Sequence, residues 1–282
     1  MSETTESARL PRSFHKTFKP ERQYIGALLK YASSGRQGDI QEIGAATGIP
    51  TGLSTGKVPT TLDYCRGMGL ISLSDSDRSA IKKPELTPFG RVVLIEDPYL
   101  KTSVTQWLAH LNLCSPLTGA EVWYQTFFAG LPSLGMSFER AQLELFLGSV
   151  CGSTTGSLVG PLIGMYEDEA SFRACGVLSE STGRVQRRSA PISDEFGFGY
   201  GAWILQQITQ HFAGKNQIPV TELDRKTGCR SIPGWDIASH QRILGLVERK
   251  GLIEVDRHME PWLIRPNAHA VSVWKYIYDD LL

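Results

Sequence analysis

The chain has 282 residues, with 29 Lys+Arg, 29 Asp+Glu and no formal net charge. A hydrophobic content of 41% supports packed cores, and with 21% charged residues it excludes global disorder. The neutral total excludes a histone-like polybasic protein, but nucleic acid stays open because binding follows where charge sits.

The length suits two domains or three small ones. Charge is unevenly spread along it. Residues 1–8 carry −2, residues 9–91 carry +6, residues 92–183 carry −6, residues 184–265 carry +3 and residues 266–282 carry −1. Two basic ends therefore flank an acidic middle, which is either chance or a sign that the ends meet a polyanion. The five cysteines are odd in number and lack a C-x-x-C pair, which argues against a disulfide framework and a zinc ribbon. The polar start shows no signal peptide, and no apolar stretch approaches 18 residues, so the expectation is a cytoplasmic protein without membrane contact.

In chain order, residues 1–19 read as an arm. A helix starts at Pro20 and carries Tyr24, Leu28, Leu29 and Tyr31 as far as Ser33-Ser34-Gly35. Asp39 with Glu42 three residues on forms a capping box for a second helix, which Gly48-Ile49-Pro50 ends. A third helix runs from about Val58 to Gly67. Leu70-Ile-Ser-Leu73 is a short strand, Asp75, Asp77 and Arg78 form a polar tip, and a return strand lies near Ile81–Leu86. Thr87-Pro88 opens the helix Phe89–Glu96.

The acidic middle is mainly helical, with helices around Trp107–Leu113, Trp123–Phe128 and Phe138–Leu147. Its aromatic spacing is that of a core rather than of a base-stacking platform. Glycines 148, 152, 156, 160 and 164 recur every four residues, but Ser153-Thr-Thr-Gly156 and Pro161 disfavour one continuous helix there. Toward the C-terminus come a helix at Trp203–His211, a short element from Val220, and a helix capped by Asp236 and reaching Lys250. Gly251-Leu-Ile-Glu-Val255 then repeats Gly69-Leu-Ile-Ser-Leu73, and Trp262–Ile264 is the return strand.

Short helices followed by a two-stranded hairpin are the grammar of a winged helix-turn-helix. The expected fold is mainly α with small β wings, an α+β chain. The expected organisation is a 1–19 arm, a winged unit at 20–98, a helical middle at 99–182, a basic linker at 183–202 and a second winged unit at 203–282. Many proteins use this unit only as a scaffold.

Thr51–Val58 nearly matches a phosphate-binding P-loop. However, Thr51 replaces the first glycine, Val58 replaces the metal-holding hydroxyl, and no buried strand precedes it, so ATP binding is rejected. Either its backbone amides and Lys57 approach a DNA phosphate or it is an ordinary turn. The candidate DNA contacts are Thr55, Lys57, Thr60, Arg66, Lys82 and Lys83 in the first unit. Arg184, Arg187 and Arg188 in a polar loop, and Arg225, Lys226, Arg230 and Arg242 in the second unit, complete the set.

The six histidines form no H-x-H or H-E-x-x-H motif. Glu254, Asp256, His258 and Glu260 alternate along the second wing and share a strand face, which offers oxygen ligands to a magnesium ion or is simply a solvated wing tip. His15, Glu254 and Asp256 are the candidate catalytic groups, and the metal ligands are not assigned.

His15-Lys-Thr-Phe18 before an amphipathic helix is a variant of an H-E-T-F opening. Leu86-Thr-Pro-Phe-Gly90, Glu96-Asp-Pro-Tyr-Leu100, Trp107-Leu-x-x-Leu111 and Trp123-Tyr-x-x-Phe127-Phe128 follow in order. Ser137-Phe-x-x-x-x-Leu143, Tyr166, Phe172-Arg-Ala-Cys-Gly-Val-Leu178 and Pro233-Gly-Trp235 extend the series across nearly the whole chain. In this order the motifs resemble a family first catalogued as uncharacterised, whose members accompany bacterial DNA phosphorothioation genes. The chain departs from it at Lys16, where the family usually has an acid. The resemblance implies the DNA-nicking component of an Ssp-type phage-defence machinery. Such a component acts on double-stranded DNA beside a cysteine desulfurase, an ATPase and an ATP pyrophosphatase. For a nicking enzyme the expected cofactor is Mg²⁺ or Mn²⁺ polarising the phosphate, with no nucleotide. The alternatives are a non-catalytic DNA-binding adaptor of that complex and a winged-helix transcriptional regulator.

Overall fold

A computed structural model describes residues 9–51, 56–73, 80–152 and 156–281. The chain is helical with small antiparallel sheets. The first helices are α1 (Arg22–Ser33), α2 (Ile40–Thr47) and α3 (Lys57–Gly67), followed by the hairpin β1 (Ile71–Leu73) and β2 (Pro84–Leu86), then α4 (Pro88–Glu96). Local chemistry sets these boundaries. Asp39 accepts hydrogen bonds from Gln41 N and Glu42 N while Glu42 returns one to Asp39 N, the reciprocal box the sequence predicts. Thr87 caps α4 ahead of Pro88 at the first turn.

The middle holds α5 (Ser103–Leu113), α6 (Glu121–Tyr124) running into a π-helical turn Gln125–Ala129, and α7 (Leu131–Leu134). Next come β3 (Ser137–Glu139), α8 (Arg140–Cys151), α9 (Gly156–Glu167), β4 (Leu178–Ser181) and β5 (Arg184–Arg187). Phe138, expected to open a helix, lies instead on β3 and pairs with Val185, in a sheet ordered β3-β5-β4. α8 ends at Gly152 in the left-handed region (φ 63). α9 is a separate helix that accommodates Pro161 internally, so the four-residue glycine period spans two helices. Arg184 and Arg187, expected in a polar loop, are strand residues.

The C-terminal part comprises α10 (Gly197–His211), β6 (Ile218–Pro219), α11 (Val220–Thr227), α12 (Ile237–Arg249), β7 (Ile253–Asp256), β8 (Leu263–Pro266) and α13 (Ala270–Val273). It repeats the N-terminal part in hydrogen-bonded detail. Thr47 Oγ1 donates to Ile43 O at 2.7 Å and Thr227 Oγ1 to Leu223 O at 2.7 Å. Gly48 (φ 71) and Gly228 (φ 69) then turn the chain left-handed. After α3 and α12, Gly69 (φ 71) and Gly251 (φ 73) do the same, and Leu70 N and Leu252 N reach back to Cys65 O and Val247 O. The bridge of Gly38 with Lys82 stands where Ile218 pairs with Ile264.

A continuous buried cluster runs from Leu10 to Ile277. Phe89 and Trp274 meet at 4.7 Å between ring centroids, which joins the two repeats directly. Burying such aromatics dominates the favourable energy of folding. Among the described residues no helix is long and apolar enough to cross a membrane.

Candidate nucleic-acid interface

α12 is amphipathic. His240, Ile243, Leu244, Leu246 and Val247 are buried, and Asp236 caps its start through Ser239 N at 2.7 Å. Ile237, Ala238, Gln241, Arg242 and Arg249 are exposed and Gly245 is half-buried, a spacing of three and four that sets them along one stripe. A groove of about 540 Å³ runs between this stripe and Ile192–Asp194. Arg242 has no ion-pair partner among the described residues, and Arg249 stands 3.8 Å from Asp194 with both side chains mostly exposed. Exposed pairs of that kind contribute little to stability and exchange readily for another anion.

On the other flank a cavity of about 410 Å³ is lined by Thr221, Asp224, Arg230, His240, Gln241 and Trp262, among others. Asp224 organises its floor. Its carboxylate accepts from Arg230 N, Ser231 N and Ser231 Oγ and pairs with the Arg230 guanidinium at 3.1 Å. Burial pushes the His240 imidazole down to about 4, against the opposing pull of Asp224. Its ring stacks on Trp235.

In the first repeat the corresponding helix is covered. No residue of α3 is fully exposed. The segment 9–19 lies across it: Thr60 Oγ1 donates to Phe14 O at 3.2 Å and Tyr64 OH to Phe18 O at 3.1 Å. Thr60, expected at a phosphate, is 2% exposed and spent in this way. Lys57 is likewise turned inward, to Glu21 at 2.6 Å and over the Tyr24 ring at 4.5 Å. Arg66 pairs with Asp63 at 3.5 Å, Lys83 with Glu85 at 3.0 Å, and Lys82 holds the backbone bridge to Gly38. Residues 52–55 of the P-loop-like stretch, Thr55 among them, and the wing tip with Asp75, Asp77 and Arg78 lie outside the described residues.

Among the other candidates, Arg184 is exposed and bonds Ser137 Oγ and Glu139, Arg188 and Arg225 are exposed, and Lys226 pairs with Glu222 over the Phe212 ring. Arg187 corrects the sequence reading most sharply. It is 4% exposed, and its guanidinium donates to the carbonyls of Phe127, Ser231 and Ile232. Burial pulls its pKa down to about 10, still far above neutrality, so it remains a cation used internally and unavailable to phosphate. Around it, Tyr166 OH is shared by His110 Nδ1 at 2.7 Å and Trp123 Nε1 at 2.9 Å.

His15 is 2% exposed and packed edge-on against Phe14 and Trp123, and burial pushes its imidazole down to about 4. So sealed, the ring is not open to a substrate in this structure. Glu254 and Asp256 both face Arg265, at 3.2 and 3.5 Å. One oxygen of each carboxylate is thus directed at a shared guanidinium. Among the described residues no group of three His, Cys, Asp or Glu is arranged to hold a metal. Glu254 and Asp256 as placed here do not by themselves make a metal centre.

Of the predicted residues the structure gathers Arg230 and Arg242 on either side of Gln241, with Arg225 and Lys226 at the end of the preceding helix. Sequence reading missed Gln241, Ala238 and Arg249. The signal was the outer 3–4 stripe of the helix rather than its charge.

Neither a protein-family model nor a curated protein matches the sequence. Two solved structures match the fold. A magnesium ion-bound SspB crystal structure aligns with TM-score 0.69 and 16% identity over 100% of this chain and 91% of that one. A second SspB crystal structure aligns with TM-score 0.69 and 16% identity over 99% and 91%. The likeness to SspB is one of fold, and it extends from end to end.

Proposed function

We propose that this chain is a duplex-DNA-binding component of a bacterial phosphorothioation machinery, and that its two repeats are winged helix-turn-helix units. The observation that carries the proposal is α12, whose outer stripe is open and cationic; in a helix-turn-helix it would be the recognition helix. The full-length likeness to SspB supports the system-level reading. A cysteine desulfurase, an ATPase and an ATP pyrophosphatase are the partners of such a component. Retardation of duplex DNA that weakens steeply with salt is the expected result. No retardation at 50 mM salt sinks the reading.

A second reading adds strand nicking with Mg²⁺ or Mn²⁺, favoured by the magnesium ion in one of the SspB structures. Replacing a non-bridging phosphate oxygen by sulfur calls for an opened or activated backbone, which a nick supplies. Purified protein incubated with supercoiled plasmid and either ion separates the two. Open circles above a trace-nuclease control establish nicking, and their absence leaves a binding component.

A further inference from the structure

The two repeats share their architecture but not their exposure. We propose that they have divided the labour. The C-terminal repeat alone reads duplex DNA, with α12 in the major groove and Gln241 and Arg242 at base edges, while the N-terminal repeat is a sealed platform. This rests on the DNA-binding reading above.

Three observations carry it. First, α12 offers the chemistry a groove requires. Gln and Arg make bidentate contacts to adenine and guanine edges, and Ile237, 68% exposed on the first turn, suits a thymine methyl. Recognition helices contact bases from their N-terminal turns, where Ile237, Gln241 and Arg242 sit. Secondly, the stripe is shallow. Ala238 and Gly245 keep it low, and a Cβ at Gly245 would meet only Arg249, at 3.8 Å. The backbone can therefore sink deep between the phosphates. Thirdly, the stripe is charge-complementary to a polyanion. Arg242 and Arg249 lie on it, and Arg225 and Arg230 belong to the preceding helix and turn. The opposing charges are Asp194, Glu195 and the capping Asp236 at its edge, with Asp224, which pairs with Arg230, and Glu260 in the adjoining cavity.

In the first repeat the arm covers the corresponding helix. The arm's carbonyls at Phe14 and Phe18 occupy the hydroxyls of Thr60 and Tyr64, and the Lys16 side chain packs against Gly56 at the start of α3. A helix roofed by its own chain cannot enter a groove.

The test selects preferred sequences from random duplexes and measures their affinity by fluorescence anisotropy, with melting curves as the folding control. Gln241→Ala is expected to relax preference at one base position. Arg242→Ala should weaken the preferred duplex roughly 5- to 100-fold. Gly245→Gln, which has room to fold, should weaken it at least about tenfold by filling the stripe. Arg249→Ala should lower the salt slope by about one. Lys16→Ala, on the roof of α3, should change nothing. Wild-type protein that holds no duplex overturns the DNA reading itself. Wild-type protein that binds while the α12 variants keep its affinity and preference overturns only the division of labour, as does a loss confined to Lys16→Ala.

Discussion

The Arg187 guanidinium donates to the backbone carbonyl of Ser231 at 2.8 Å, tying a strand of the central sheet to the turn that launches α12. The same turn is stitched to this strand and the residues after it by Ala190 N to Pro233 O, Ser189 Oγ to Gly234 O and Trp235 Nε1 to Ala190 O. The turn is thus mounted on the middle of the molecule.

Arg187→Ala is expected to cost about 3–5 kcal/mol, because three carbonyls, two of them in buried bonds, lose a charged donor and a cavity opens beneath Phe127. Urea unfolding measures the loss, and amide exchange across residues 228–236 should rise with it. Arg187→Lys should recover little, since a point charge cannot span three acceptors as the planar fork does. A variant of normal stability with reduced DNA affinity would instead restore Arg187 to the interface.

Tyr166→Phe removes one hydroxyl and strands two buried groups, His110 Nδ1 and Trp123 Nε1. The expected cost is about 1–3 kcal/mol. Denaturant midpoints check it, and a neutral result would mean that water reaches the pair.

Acid should destabilise the protein through its buried imidazoles. His15 and His240 titrate near 4 in the folded state against about 6.5 when unfolded, so the unfolded chain binds more protons between those limits. Their contribution is complete above pH 6.5 and is lost as pH falls toward 4, by at most about 1.4 kcal/mol per pH unit for each histidine. His15→Phe, which places a ring of similar shape among Phe14 and Trp123, should flatten that limb. Urea midpoints at pH 4 to 7 that show an unchanged slope would contradict this account.

Two glycines predict opposite signs. A Cβ at Gly90 collides with the Leu70 carbonyl, the point where α4 crosses the strand entry, so Gly90→Ala should cost more than about 2 kcal/mol. Gly245 lies in the interior of α12 with ordinary room for a methyl, so Gly245→Ala should gain about 0.5–1 kcal/mol. Thermal melts of the two variants side by side decide both.

Much of the repeat was legible from local signals. The Asp39–Glu42 box, Thr87-Pro88, Asp236 and the twin Gly-Leu-Ile segments each fix a boundary within a few residues, and local hydrogen bonding suffices to read them. The central sheet was not legible, because β3 pairs with β5 across more than forty residues, and the hairpin strands β4 and β5 are too short for their alternation to stand out. Arg187 and His15 misled for a related reason. Charge and polarity read as surface until tertiary contacts supply partners or a lid. Gln241 escaped because a count of charges does not see a neutral amide, although its chemistry suits a base edge best.

The roof over α3 has a consequence for symmetry. A protein with two equivalent readers would meet a palindrome and see both strands alike. On the reading proposed above, with one helix open and its twin closed, a single bound copy has no two-fold axis, so it would meet the duplex in one orientation and leave the two strands inequivalent.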